Sequence, residues 1–160
     1  MKKYELTSDF IINLLGVKLF RIKALIDIEK FNVKAGDLGG YIEKEENLSQ
    51  KGNAWVYDNA EVYDNAEVYG DARVYGDARV SGNAWVSGNA DYTTIKGFGT
   101  QYRTTTFFKC KDEKVRVVCG CFYGTIEEFR EQVKNTRNGK VATEYLMIAD
   151  LMEYHFKEGE

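Results

Sequence analysis

The apolar positions in the middle of the chain return with a period of six. From Asn53 to Asp91 the sequence reads NAWVYDNAEVYDNAEVYGDARVYGDARVSGNAWVSGNAD. An alanine recurs at Ala54, Ala60, Ala66, Ala72, Ala78, Ala84 and Ala90, and a valine follows two places later at each unit from Val56 to Val86. Six residues match neither the turn of a helix nor a plain alternating strand. They match a triangular β-solenoid, in which three hexads form one coil of about 18 residues. Ala-x-Val places two side chains on one face of a short strand, since alternate residues share a face. Ala and Val are therefore expected inside and the residue between them outside. A Gly or Asp followed by Asn or Asp is expected at each corner, where left-handed backbone is tolerated. Ala fits beside the corner and Val at the strand centre of so narrow an interior.

Stacking the coils predicts columns of outward residues. Trp55, Arg73 and Asp91 form one, with Tyr57 and Tyr75 beside it; Glu61 stacks on Arg79 and Glu67 on Trp85. Arg73 under Trp55 is expected to make a cation–π contact. The pattern V-[YS]-[GD]-[ND]-A-x resembles the hexapeptide repeat of left-handed parallel β-helices. With Ile42 and Leu48 read as earlier occupants of the alanine row, the helix begins near Asp37 and holds about three coils.

The flanks follow other periods. KLFRIKALIDI alternates as a strand, with Leu19, Arg21 and Lys23 on one side and Phe20, Ile22 and Ala24 on the other. This N-terminal segment is expected to cap the first coil, whose backbone would otherwise be unpaired. Beyond the repeat, RTTTFFKC and KVRVVCGC flank KDE as an antiparallel hairpin. Thr125 and Glu128 then form a capping box. Phe129 and Val133 give a first helix its apolar stripe, ended at Asn138-Gly139. Val141, Tyr145, Ile148, Ala149, Met152 and Phe156 fall at helical spacing in a second. The expected fold is mainly β: a β cap over 1–36, a short left-handed parallel β-helix over 37–94, and a ββαα unit over 95–160.

Charge and composition narrow the function. A net charge of −3 argues against generic binding to nucleic acid or to an anionic membrane. No apolar run approaches the roughly 20 residues of a membrane span. MKKYELTSDF lacks the apolar core of a signal peptide, and three cysteines fit a reducing cytoplasm better than a disulfide framework.

Candidate chemistry is sparse. Left-handed β-helices resemble acyltransferases that deprotonate their acceptor with a histidine, but the one histidine, His155, lies outside the repeat. Cys119 and Cys121 share a strand face, while Cys110 belongs at the turn end of the partner strand, and no fourth ligand is near; no metal site is expected. Asp58, Asp64, Asp71 and Asp77 are explained as corner residues. No phosphate loop or nucleophile motif is present, so no catalytic residue and no cofactor are expected. Between Lys96 and Arg116 the chain is locally cationic. There Tyr102, Arg103, Thr104, Thr105, Thr106, Lys109 and Arg116 combine a stacking aromatic, bidentate guanidinium groups and hydroxyls, a set suited to an anionic or nucleotide ligand. Trp55, Tyr57, Arg73, Tyr75 and Trp85 are the candidates for a subunit or partner interface.

GDLGGYIEKEENLSQKGNAWVY before the repeat, and CGCFYGTIEEFREQV and EYLMIADLMEYHF after it, resemble a group of phage and prophage hexapeptide-repeat proteins. Some viral proteins of this size act against bacterial defence by soaking up nucleotide messengers. The resemblance implies a non-enzymatic accessory protein of the host cytoplasm, a homo-oligomer with a trimer favoured. Its implied partner is a nucleotide-type ligand or a host defence protein. The other readings are a purely structural or interaction module, and an acyltransferase.

Overall fold

The computed structural model describes residues 1–157; the last three residues of the expected C-terminal unit lie outside the described residues. The protein is mainly β with two C-terminal helices. Among the described residues thirteen strands run in chain order: β1 (Tyr4–Ile12), β2 (Lys18–Ala24), β3 (Leu38–Ile42), the two-residue rungs β4 (Trp55–Val56), β5 (Glu61–Val62), β6 (Glu67–Val68), β7 (Arg73–Val74), β8 (Arg79–Val80) and β9 (Trp85–Val86), then β10 (Tyr92–Phe98), β11 (Arg103–Lys109), β12 (Val115–Cys119) and β13 (Phe122–Thr125). Helices α1 (Ile126–Thr136) and α2 (Gly139–His155) follow. No helix among the described residues is long and apolar enough to cross a membrane.

The hexads stack as their spacing demands. Trp55 pairs in parallel with Arg73, Glu61 with Arg79 and Glu67 with Trp85, each eighteen positions on. Every Ala from Ala54 to Ala84 and every Val from Val56 to Val86 is at most 1% exposed. The corners carry left-handed backbone at Asp58, Asp64, Gly70, Gly76 and Gly82. Asp58 and Asp64 also accept from the backbone N–H of the corner one coil later, Gly76 at 3.0 Å and Gly82 at 3.3 Å.

Two details of the repeat differ from expectation. Ile42 pairs with Val62 and Leu48 bridges Val68, twenty positions apart, so both belong to the valine row rather than the alanine row. The two extra residues lie between Leu48 and Val56, where a wider turn crosses Ser49–Asn53. The row of alanines also ends at Ala84: Ala90 is exposed in a short 3-10 turn, Asn89–Asp91, which turns the chain into β10.

Both ends of the coil stack are covered. At the front, β1 and β2 form an antiparallel hairpin that pairs through β3 onto β5. Lys3 Nζ donates to the Ala54 carbonyl at 2.7 Å, and Tyr4 Oη donates to that of Leu48 at 2.6 Å, so side chains satisfy the first coil where no strand does. A register irregularity between Arg21 and Lys23 breaks the simple alternation of β2: Leu19, Ile22 and Ala24 are its buried residues. At the back, Ala84 bridges Cys110, the Lys111 N–H donates to Asn83 O at 3.0 Å, and the Arg79 N–H donates to Thr106 Oγ1 at 3.0 Å.

The C-terminal unit is larger than the expected hairpin. β10 and β13 add to β11 and β12 in one antiparallel sheet, ordered β10-β11-β12-β13. Strand alternation gives this sheet two apolar faces. Phe108 and Val118 join the solenoid core, while Phe107 and Val117 join Phe129, Val133, Tyr145, Ile148 and Met152 under the helices. Thr125 and Glu128 close the capping box of α1 with bonds of 3.1 and 2.9 Å. Asn138 is the N-cap of α2, so Asn138-Gly139 both separates the helices and opens the second.

Candidate functional site

Where the C-terminal sheet leans on the solenoid, an open cleft of about 530 Å³ forms. Its solenoid wall carries Glu61 and Arg79, the outward residues of β5 and β8, with Asn59 and Asp77 from the neighbouring corners. The opposite wall carries Lys96, Gln101, Arg103, Thr104 and Gly120, and Leu14 from the tip of the β1–β2 hairpin overhangs it. Three cations and two carboxylates therefore face one space.

Local geometry holds these charges in place. Arg79 Nη2 donates to the Gly120 carbonyl at 2.6 Å. Gly120 has left-handed backbone, and the Arg103 guanidinium lies so close to its Cα that any side chain there would collide with it. The two guanidinium groups thus converge on one glycine. Lys96 Nζ meets Asp77 Oδ2 at 2.9 Å. Burial pushes the Glu61 carboxyl above its ordinary range, opposed by the Asn13 amide and by the charge of Arg79. Tyr102, beside Gln101 and Arg103, is 68% exposed and has φ of +52°, an uncommon backbone for an aromatic residue.

The expected ligand set divides. Arg103 and Thr104 line the cleft, whereas Tyr102, between Gln101 and Arg103 in sequence, is not among its lining residues. Thr105 and Thr106 do not: both are 1% exposed, with Thr106 Oγ1 spent on Arg79 N–H and Thr105 Oγ1 on Cys119 Sγ at 3.3 Å. Lys109 faces Asp91 at 3.7 Å, and Arg116 binds Asp112 at 2.7 Å. Because Thr105 pairs with Cys119 and Phe108 with Arg116, Arg116 lies toward the other end of the strands from Arg103. A cationic run along one chain segment is not a cationic patch, since a strand spreads it over two faces and both ends. Arg79, Asp77, Asn59 and Gln101 were not among the expected ligands. Arg79 was legible only as the ladder partner of Glu61.

The expected interface set divides too. Trp55 is 1% exposed and sits edge-on to Tyr4, ring centroids 6.4 Å apart, so the N-terminal cap has claimed it for the core. Arg73 stacks on Phe31, 5.2 Å from the ring centre, in place of the expected contact with Trp55. Tyr57, Arg73 and Tyr75 line a recess of about 240 Å³ with Asp58. Trp85, on another face, is half-exposed and leans on Tyr69 at 5.8 Å.

The remaining candidates take no part in the cleft. Cys110 is buried, which pushes its thiol up to about 11. Cys119 is opposite Thr105 and Cys121 is exposed. His155 sits at the end of α2, edge-on to Phe156 at 5.0 Å.

The stacked hexads have a counterpart among known families. A family model described as YdcK Beta solenoid repeat matches residues 66–82 and, overlapping them, 72–88. The matched span runs from Ala66 through β9 and includes the Asp77 and Arg79 wall of the cleft. It supports a β-solenoid repeat protein and leaves the flanks that complete the cleft outside the match. None of the curated proteins matches the chain.

Proposed function

We propose that the protein is a non-enzymatic binding protein whose cleft takes an anionic small molecule of nucleotide type. The observation that carries the reading is the convergence of Arg79 and Arg103 on Gly120. Both guanidinium groups open on the same cleft, Arg79 beside the Glu61 carboxylate, and their planar forks suit phosphate oxygens. Gln101, Asn59 and Thr104 supply neutral partners along the same walls, and the exposed Tyr102, between Gln101 and Arg103 in sequence, offers a ring for stacking a base. Lys96 is held by Asp77 and exchanges this partner for a ligand phosphate at small cost, because exposed pairs of this kind contribute about 1 kcal/mol or less.

The hexad pattern supports left-handed winding of the coils. The resemblance of the flanks to phage and prophage hexapeptide-repeat proteins supports an accessory, anti-defence role in the host cytoplasm, in which the cleft sequesters a nucleotide signal. A second reading, a module that binds a host protein, draws on the exposed Phe10, Ile12, Leu14 and Leu15 at the hairpin tip.

Native mass spectrometry with a panel of cyclic and linear nucleotides tests the proposal. The expected result is one nucleotide per cleft. Arg103→Ala or Arg79→Ala should weaken retention at least about tenfold, as loss of a charge-assisted bond predicts. Lys109→Ala, outside the cleft, should leave it unchanged. A protein that stays empty across the panel sinks the nucleotide reading and leaves the host protein.

A further inference from the structure

The cleft is polarised along the coil stack. Its solenoid wall belongs to the sheet ordered β1-β2-β3-β5-β8, so Glu61 on β5 lies toward the front hairpin and Arg79 on β8 lies at the end that meets the C-terminal sheet. Arg79 reaches away from Glu61, donating to the Gly120 carbonyl at 2.6 Å, where Arg103 also stands. The other end lies under the hairpin tip. There Asn13 Nδ2 donates to Glu61 Oε1 at 3.3 Å, and Leu14 overhangs the same space. Asn13 is fixed in turn, its Oδ1 accepting from the N–H groups of Leu15 at 3.0 Å and Val17 at 2.9 Å. Glu61 Oε2 meets no donor among the described residues. Asp77, the other carboxylate of the cleft, is already held by Lys96 at 2.9 Å. Glu61 is therefore the open acceptor in a site otherwise built for an anion.

Resting on the nucleotide reading of the cleft, we infer that it selects guanine and that Glu61 is the residue that discriminates. A carboxylate accepts and does not donate, so it repels a phosphate and calls for donors at the other end of the ligand. Guanine is the common base with two adjacent donors, N1–H and the N2 amine, on its pairing edge. Adenine and cytosine set an acceptor ring nitrogen beside their amine, and uracil flanks its single N–H with two carbonyls. Each of these turns a lone pair toward Glu61. Asn59 completes the edge: its Oδ1 accepts from Arg21 Nη2 at 3.4 Å, which leaves its Nδ2 to donate to the guanine O6. Leu14 gives the flat of the base an apolar cover. Burial already pushes the Glu61 carboxyl up, and a carboxylate short of water gains more from a donor than an exposed one does. The phosphate then falls to Arg79 and Arg103, and the ligand lies along the stack with its base at the front.

Equilibrium dialysis of the full chain against guanosine, inosine and adenosine monophosphates tests the assignment. The three share ribose and phosphate and differ on the base edge; the inosine compound keeps N1–H and lacks the amine. Guanosine monophosphate should bind at least about tenfold more tightly than adenosine monophosphate, with inosine monophosphate between them. Glu61→Gln puts a donor in place of one acceptor oxygen at the same volume, and should bring the guanosine preference down to about threefold or less. Arg103→Ala should weaken all three alike. Adenosine or inosine monophosphate bound as tightly as guanosine monophosphate overturns the inference. So does a Glu61→Gln chain that keeps the full preference. In each of these outcomes a nucleotide is still held, and the reading of the cleft stands. A chain that retains none of the three also overturns the inference, and the wider nucleotide panel then decides whether the cleft reading falls with it.

Discussion

Lys3 is 1% exposed, and its ammonium donates to the carbonyls of Ala54 at 2.7 Å and Gly52 at 3.4 Å. Those carbonyls belong to the first coil, which has no preceding coil to pair with, so the lysine does the work of a missing strand. The cost is desolvation, which lowers its pKa from 10.5 to about 8. A lysine depressed in the folded state releases its proton at a pH where the unfolded chain still holds it. Acid therefore favours unfolding across that interval, and stability rises with pH between about 8 and 10.5. The rise should be no more than about 3 kcal/mol, the full linkage of that shift, and less to the extent that water screens the ammonium. Denaturation midpoints measured through this window should climb in the wild type and stay flat, relative to it, in Lys3→Met. Parallel profiles for the two chains would show that Lys3 is solvated and does not seal the coil. Nothing in MKKYELT marks this role: a lysine third from the start of a sequence reads as surface, and only the open end of the coil gives it carbonyls to satisfy.

The rungs are two residues long, too short to be stable as strands, so the coil depends on its corners and on the coil above. Asp64 shows both dependences. Its φ is +56°, and its carboxylate accepts from the Gly82 N–H at 3.3 Å, one coil on. Asp64→Gly keeps the backbone and loses one partly exposed hydrogen bond, so it should cost well under about 1 kcal/mol. Asp64→Val adds a β-branched side chain to left-handed backbone and should cost about 2 kcal/mol or more. Urea midpoints that fall equally for the two would put the cost in the lost bond rather than in the corner. Corners and rungs were legible in the sequence because a repeat prints its geometry once per unit: six residues, one small, one branched, one left-handed. The first coil was misread by two residues because Ser49–Asn53 widens a turn without altering which residues alternate. β10 and β13 were missed for another reason. YTTIKGF carries a glycine at its next-to-last position and FYGT is four residues long, so each takes its strand character from the neighbour it pairs with rather than from its own pattern. The cleft was half legible on the same logic. Arg103 and Thr104 share a segment whose composition stands out, whereas Arg79 and Asp77 sit in ordinary hexads and reach the site only because the sheet folds back over their face.

The whole molecule is two apolar cores sharing one sheet. The solenoid core takes Phe108 and Val118 from β11 and β12, and the helical core takes Phe107 and Val117 from the same strands. The sheet is also what closes the cleft and covers the last coil, so the solenoid side of β11 has to persist for either job. The helices do neither, and their contacts gather at Phe129, whose ring meets Phe107 at 6.2 Å, Phe122 at 5.7 Å and Tyr145 at 5.7 Å. Phe129→Ala removes three ring contacts at once and leaves a void, a change that costs about 3–5 kcal/mol in a well-packed core. Two outcomes are open to a molecule built this way, and native-state hydrogen exchange separates them. Where the cores are energetically distinct, the loss falls on α1 and α2, whose amides exchange faster by roughly a hundredfold or more. The Glu61, Tyr63 and Glu67 amides, which bond to Ala78, Val80 and Ala84 of the next coil, then keep their protection. Where the shared sheet couples the cores, both sets of amides lose protection together. The structure favours the first outcome. Between the helices and the coil stack lie the backbone hydrogen bonds of four antiparallel strands, and Thr106, Ala84–Cys110 and Lys111 tie that sheet to the last coil independently of Phe129. The helices then serve as a replaceable lid on a sheet whose other face packs on the solenoid.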